Sequence, residues 1–331
     1  MVIRVGLVGT GYAAVVRAKS FEADERSALV AVAGRNRART AAFADHYGLN
    51  PAERWLDLID DDGIDLVVVA TVSALHGEVA EAALKAGKHV VVEYPLSLDL
   101  AQAERLLLLA RQKKRLLHVE HIELLGGLHQ VMRSHLSKIG QPSYVNYRTL
   151  TAQHPAPTNW KYAPELFGFP FCGALSRVNR LINLFGRVKA VSCETQQTES
   201  AADSSFYTNI LCSGRLRFEN ELVAEVTYGK GDRIWTSQRA IEVHGNRGSL
   251  AFVGNQGRLT TDAGSKQIES PPRKGLLALD TTGVLDYLSE GSALYVSAKK
   301  SIYALKVGDA LKRASEQQTT ILVDEWASLV C

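Results

Sequence analysis

Val2-Ile3-Arg4-Val5-Gly6-Leu7-Val8-Gly9-Thr10-Gly11-Tyr12-Ala13-Ala14 stands at the start of the chain and decides its reading. Val2–Val8 is short, apolar and rich in β-branched residues, as a parallel strand covered on both faces should be. Gly9, Gly11 and Ala14 then fit G-x-G-x-x-G/A, the fingerprint of a dinucleotide-binding turn. Gly9 permits the tight turn and Gly11 lets a pyrophosphate approach the backbone at a helix N-terminus. Ala14 keeps that helix close to the strand. Thr10, Tyr12 and Ala13 complete the loop. An ordinary glycine-rich turn would look the same in isolation, so the surroundings decide.

Outward from this stretch, strands and helices alternate. Helices are expected over residues 13–22, 40–47, 76–86 and 100–114, and apolar strands over 27–33, 64–70, 88–93 and 116–120. Gly48 and Gly87 are placed to end helices, and Asp99 to cap one. Such alternation argues for a doubly wound parallel sheet, a Rossmann domain over residues 1–123. After residue 124 the pattern changes to alternating strands: 143–151, 188–195, 208–218, 222–228, 240–244, 249–253 and 258–261. Helices are expected at 128–138, 173–185, 280–289 and 297–314. Residues 124–331 therefore read as an α+β domain with a large, open-faced, mostly antiparallel sheet. The fold class is α/β.

The 331 residues suit about two domains. With 46% hydrophobic and 22% charged residues the chain is an ordinary globular one, neither disordered nor a disulfide scaffold. The net charge of +3 is spread without a basic stripe, so no nucleic-acid partner is expected. No apolar stretch approaches the ~20 residues of a membrane span. Met1 leads straight into a strand without a secretory leader, and Cys172, Cys193, Cys212 and Cys331 show no metal-ligand spacing. A cytoplasmic protein is expected.

Ribose selectivity is written after the second strand, about 20 residues past the glycines. There the chain has Gly34-Arg35-Asn36-Arg37 and no acid. Arg35 and Arg37 suit a 2′-phosphate, which favours NADPH over NADH; a solvated loop is the other reading. Thr71-Val72-Ser73, leading to His76, and Glu93-Tyr94-Pro95 lie at carboxyl ends of strands, where ligands of open α/β sheets bind. His118, Glu120 and His121 invite a metal reading. Strand alternation places His121 on the face opposite the other two, so no metal is expected.

These features together resemble the Gfo/Idh/MocA oxidoreductases. The usual motif of that family at the fourth strand is Glu-Lys-Pro, and here Tyr94 replaces the lysine. Glu-Tyr-Pro, Phe167-Gly168-Phe169-Pro170 with Leu175-Ser176-Arg177, and residues 117–127 resemble the biliverdin reductase branch, over essentially the whole chain. That resemblance implies NADPH-dependent reduction of biliverdin IXα to bilirubin, with hydride delivered to the central methine bridge and a proton to a pyrrole nitrogen. It implies a role in turnover for Arg177, and a hydrogen bond or stacking role for Tyr94. Glu93 and His76 would contact cofactor, and Glu120 or His121 would line the cleft. Arg180, three residues beyond Arg177, and Arg239 are candidate partners for the propionates. Lys230, Arg233, Arg273 and Lys274 near strand ends and loops are further cations that a propionate could meet, each by itself read more simply as a solvated charge. A monomer is favoured. The departure at Tyr94 tells against sugar or polyol oxidation, which stays an alternative, as does a regulator that binds NADPH or tetrapyrrole without turnover.

Overall fold

The computed structural model describes residues 2–323, so Cys331 lies outside the described residues. Six strands alternate with five helices: β1 (Ile3–Val8), α1 (Tyr12–Glu22), β2 (Ser27–Ala33), α2 (Arg37–Tyr47), β3 (Asn50–Ala52), α3 (Trp55–Ile59), β4 (Leu66–Val69), α4 (Ser73–Lys85), β5 (His89–Val92), α5 (Leu100–Lys113) and β6 (Leu117–Val119). The sheet order is β3-β2-β1-β4-β5-β6, with every pair parallel. Leu66-Val67-Val68-Val69 is buried throughout, because a central parallel strand is covered on both faces. Strand order reverses between β1 and β4, which opens a crevice at their carboxyl ends.

Local chemistry sets the boundaries. α2 begins at Arg37, three residues before the expectation, because the Asn36 side chain accepts a hydrogen bond from the Arg39 N–H at 3.0 Å. Gly48 ends that helix at φ 65°, and Asp99 caps α5 by accepting from the Ala101 N–H. The alternation pattern does not reveal β3 or α3. Asn50-Pro51-Ala52 carries no β-branched residue, and its proline confines it to the sheet edge.

The remainder comprises α6 (Gly127–His135), β7 (Pro142–Ala152), α7 (Pro164–Phe167), α8 (Pro170–Gly173), α9 (Ser176–Phe185), β8 (Val188–Glu199), β9 (Tyr207–Phe218), β10 (Val223–Gly231), β11 (Gln238–Gly245), β12 (Gly248–Val253), β13 (Gln256–Thr261), β14 (Gly264–Glu269), α10 (Leu276–Glu290), α11 (Ala298–Gln317) and β15 (Ile321–Leu322). The nine strands run β14-β13-β12-β11-β7-β10-β9-β8-β15, mixed through the parallel pair β7/β10 and otherwise antiparallel. In β9, Cys212, Leu216 and Phe218 are buried while Ser213, Arg215 and Arg217 are exposed, so one face is covered and one is open. The helix expected over 173–185 starts at Ser176, because α8 ends in the non-helical Ala174.

The chain divides into two compact units, Met1–Leu125 with Lys274–Ile302, and Gly126–Arg273 with Tyr303–Cys331. Sequence reading puts a boundary at 123/124 and nothing further. The structure returns Lys274–Ile302 to the N-terminal unit, because Val284 and Leu285 of α10 complete the core formed by Val5, Leu7, Ala14, Phe21 and Leu66. Among the described residues no helix is long and apolar enough to cross a membrane.

Candidate active site

In the N-terminal unit the glycine turn is a shaped cradle. Gly9 has φ +128°, and a Cβ there would lie 2.2 Å from the Ala70 carbonyl oxygen, so the turn closes only on glycine. Gly11 is the N-cap of α1, has open space where a Cβ would go and makes no side-chain cap. The first N–H groups of α1 are thereby left to an anion, and the site fits a dinucleotide pyrophosphate. Thr10, Gly11 and Tyr12 line an open groove of about 600 Å³ together with Lys19, Arg39 and His46. Ala13 is partly buried beside them. Arg35, Asn36 and Arg37 are exposed; Asn36 is engaged as the α2 cap and Arg37 pairs with Glu53 at 3.3 Å.

Thr71-Val72-Ser73 turns from β4 into α4, with Val72 at the N-cap. His76 is 1% exposed. Its Nδ1 lies 2.8 Å from the Pro95 carbonyl oxygen and its Nε2 3.3 Å from that of Thr71. Burial holds its pKa below the ordinary histidine value against the pull of these carbonyls, so a neutral ring donates to one of them. His76 therefore ties the β4 turn to the Glu93-Tyr94-Pro95 turn.

Glu93 belongs to a buried network. Arg17 on α1 is fully buried; its Nε donates to Glu93 Oε1 at 3.0 Å, and its Nη1 to Asp280 Oδ2 at 2.5 Å and Thr281 Oγ1 at 3.1 Å. His118 Nε2 and the Tyr295 hydroxyl each meet Asp280 Oδ1 at 2.7 Å. Tyr295 in turn accepts from the His121 N–H at 2.9 Å. Burial opposes the charges, but the carboxylates outweigh it at Arg17, and Arg17 with His118 outweighs it at Asp280. The arginine pKa is raised and the aspartate pKa lowered. Glu93 alone among these acids keeps part of its side chain in the open, 18%.

Glu120 and His121 are buried within this unit and present no cleft surface; that expectation is corrected. β6 ends at Val119, so the period-two pattern that separates His118 from His121 does not reach them. Glu120 Oε1 accepts from the Ile122 N–H at 2.6 Å. Burial, then the charges of Glu93, Glu123 and Asp280, push its pKa well above the carboxylate range. His121 lies 2.7 Å from Ser301 Oγ and 3.3 Å from Glu123. Tyr94 stacks on its ring at 5.5 Å with the planes 6° apart. Among the described residues no group of His, Cys, Asp or Glu is arranged to hold a metal.

The C-terminal unit gathers cations on the covered face of its sheet. Arg177 and Arg180 project from α9: the Arg177 guanidinium lies 5.1 Å from the Tyr228 ring centroid, that of Arg180 6.0 Å from the Tyr147 ring. Cross-strand register aligns Tyr228 with Thr149, and Thr149 with Arg239. Partial burial lowers the Arg239 pKa, as do the charges of Arg273, Arg177 and Arg180, with the Tyr147 phenol opposing. Arg180 is 6% exposed, and its Nε and Nη1 are buried without a hydrogen-bond partner, as is Thr149 Oγ1. Cations of one sign over two aromatic rings form a receptor for an anionic, planar molecule.

Lys230 is not the solvated charge that sequence suggests. It is 5% exposed, its Nζ donates to the Lys161 carbonyl, and four rings surround it. Sequence reasoning also passes over Arg17, Asp280, Tyr295, Tyr147 and Thr149. One signal is present: Arg17 falls on the face of α1 shared by Ala14, Ala18 and Phe21. A cation on an apolar helix face requires a buried acid.

Residues 3–121 match the model described as "Oxidoreductase family, NAD-binding Rossmann fold", and residues 135–323 its "Oxidoreductase family, C-terminal alpha/beta domain" (GFO_IDH_MocA). A crystal structure of biliverdin reductase from Synechocystis sp. PCC 6803, in complex with biliverdin and NADP+, is similar over 95% of this chain and 99% of that one, with 48% identity and a TM-score of 0.93. Biliverdin reductase A of Mus musculus is 29% identical over 253 residues, 76% of this chain and 79% of its own length. A dTDP-3,4-didehydro-2,6-dideoxy-alpha-D-glucose 3-reductase of Saccharopolyspora spinosa is 28% identical over 299 residues, 87% of this chain and 82% of its own.

Proposed function

The chain belongs to the Gfo/Idh/MocA oxidoreductase family, with an NAD-binding Rossmann fold and a C-terminal alpha/beta domain, and from that premise we propose that it reduces biliverdin IXα to bilirubin with NADPH. The observation that carries this reading is the arginine group of the C-terminal unit, with the buried and unpartnered Arg180 nitrogens over Tyr147. A tetrapyrrole with two propionates supplies both things such a group lacks, carboxylates for the guanidiniums and a flat surface for the rings. The likeness to a biliverdin reductase at 48% identity supports it.

Bound NADPH would supply the hydride for the central methine bridge, and a proton from solvent would reach a pyrrole nitrogen to complete the reduction. Gly9, Gly11 and the first turn of α1 hold its pyrophosphate, and Thr10, Tyr12 and Ala13 shape that turn. Arg35 and Arg37 take the 2′-phosphate, with Asn36 fixing the helix that presents them; NADH, lacking that phosphate, binds more weakly. Thr71, Val72, Ser73 and His76 form the neighbouring wall, and Glu93, held by Arg17, meets the nicotinamide or its ribose.

Arg177 stabilises negative charge that develops on the substrate. As a proton donor it is unsuited, since a guanidinium does not give up its proton near neutral pH. Arg180 and Arg239 hold the propionates. Tyr94 donates a hydrogen bond to substrate, while His121, stacked on its ring, supports it. We assign the protein to the cytoplasm, where the free thiols Cys193 and Cys212, 3.4 Å apart, stay reduced. A monomer suits the open sheet face, which carries its own polar pairs: Tyr144 with Glu225 at 2.8 Å, and Arg215 with Glu225 at 3.2 Å.

The test is a spectrophotometric assay of purified protein with biliverdin IXα and NADPH, then NADH. The expected result is loss of the green absorbance with growth of the bilirubin band, faster with NADPH. Turnover of a polyol or nucleotide sugar, with biliverdin unchanged, would replace the reading by sugar oxidoreduction. Tight binding of NADPH and biliverdin without turnover would make the protein a regulator.

A further inference from the structure

We infer that Lys230 is a positioning residue for Arg177, acting through the aromatic cage that encloses it. The inference rests on the reading of Arg177 above. Lys230 follows Tyr228 by two residues on β10, so both side chains point to the covered face of the sheet. Its Nζ lies 3.9 Å from the Phe167 ring centroid, 4.7 Å from Tyr162, 5.3 Å from Tyr207 and 5.8 Å from Tyr228. The Lys161 carbonyl that it caps also accepts from the Tyr207 hydroxyl at 2.7 Å. One side chain thus pins the segment from Trp160 to Phe167 onto the ends of β9 and β10.

The pin reaches the arginine through rings. Phe167 stacks on Tyr228 at 6.5 Å with the planes 20° apart, and the Arg177 guanidinium rests over Tyr228. The ring faces attract the ammonium form, and its desolvation among them opposes that attraction. Burial, then the charges of Lys161 and Arg177, push its pKa down to about 7. The groups facing it are Lys161 and Tyr162 before α7, Tyr207 on β9, Tyr228 on its own strand and Arg177 on α9. Asp232, just beyond β10, acts on the Tyr162 phenol. A pKa below the ordinary lysine value means that the closed cage favours the neutral amine, which still donates to the Lys161 carbonyl; the cage is held above pH 7 and loosened as protonation sets in below it.

The test compares wild type with Lys230→Met, which keeps the length of the side chain and removes its amine. At pH 8.5 the variant is expected to lose about tenfold in kcat with biliverdin, the scale of one buried capping hydrogen bond. KM for NADPH stays unchanged. Hydrogen exchange of the 160–167 amides, measured without substrate, is faster in the variant at pH 8.5, and the difference narrows at pH 6, where protonation loosens the wild-type cage. Equal exchange at pH 8.5 overturns the inference, as does a difference that widens at pH 6 or wild-type kcat in the variant. Absence of biliverdin turnover in wild type sinks the functional reading instead, and with it the assigned role at Arg177.

Discussion

Each unit of the molecule buries an arginine, and the two are held in opposite ways. Around Arg17 the charges are matched: Glu93 and Asp280 take the guanidinium, and Asp280 also takes His118 and the Tyr295 hydroxyl. Arg180 is not matched in this way: Arg239 near it is of the same sign, and two of its own nitrogens have no partner. A matched network is complete without a ligand and serves as scaffold. An unmatched one carries the desolvation cost of its cations into the folded state, which is sensible only where a ligand later offsets it.

Breaking the matched cluster should have the largest effect. Asp280→Ala leaves Arg17 buried without its main partner and is expected to lower stability by about 3–5 kcal/mol in urea unfolding. Burial opposes ionisation of Asp280, but Arg17 and His118 outweigh it, so its folded pKa is depressed. Its contribution is therefore present above the unfolded value of about 4 and lost as pH falls through the lower folded value. Wild type should lose stability on acidification below pH 4 by more than the variant does. Equal stability of the two proteins at pH 7 would mean that the network is not scaffold.

Arg177→Ala tests the arginine group of the C-terminal unit at its reactive end. Turnover of biliverdin should fall at least about a hundredfold, about 2.7 kcal/mol of transition-state stabilisation, while NADPH binding by fluorescence titration is unchanged. Wild-type turnover would remove Arg177 from the mechanism.

Arg180→Met is the sharpest contrast with Asp280→Ala. It deletes a buried cation rather than a partner, so thermal stability should hold or rise, by about 1 kcal/mol. KM for biliverdin should rise about tenfold, the loss of one charge-assisted contact. A large fall in stability would show that Arg180 is held by its own unit.

The smallest effect is expected at the surface. Replacing Arg35 and Arg37 by alanine should cut the preference for NADPH over NADH about fivefold to tenfold, because exposed ionic contacts are worth ~1 kcal/mol or less. An unchanged preference would return both to a solvated loop.

What can be read from sequence here is what neighbouring residues decide. The glycine spacing, the apolar run Leu66–Val69, the Asp99 cap and the alternation in β9 each act over a few residues, and each has its counterpart in the structure. Placing Arg177 and Arg180 on one side of a helix requires only their spacing, and both do lie over the sheet. Lys230 escapes such a reading because a lysine in an alternating strand carries no mark of the segment that will cover it. Asp280 is invisible for the same reason, at 263 residues from Arg17 along the chain. Local periodicity determines which face of an element is buried. Only the tertiary structure decided which charges are buried together, since electrostatic energy depends on distance in space and on the water excluded between the groups.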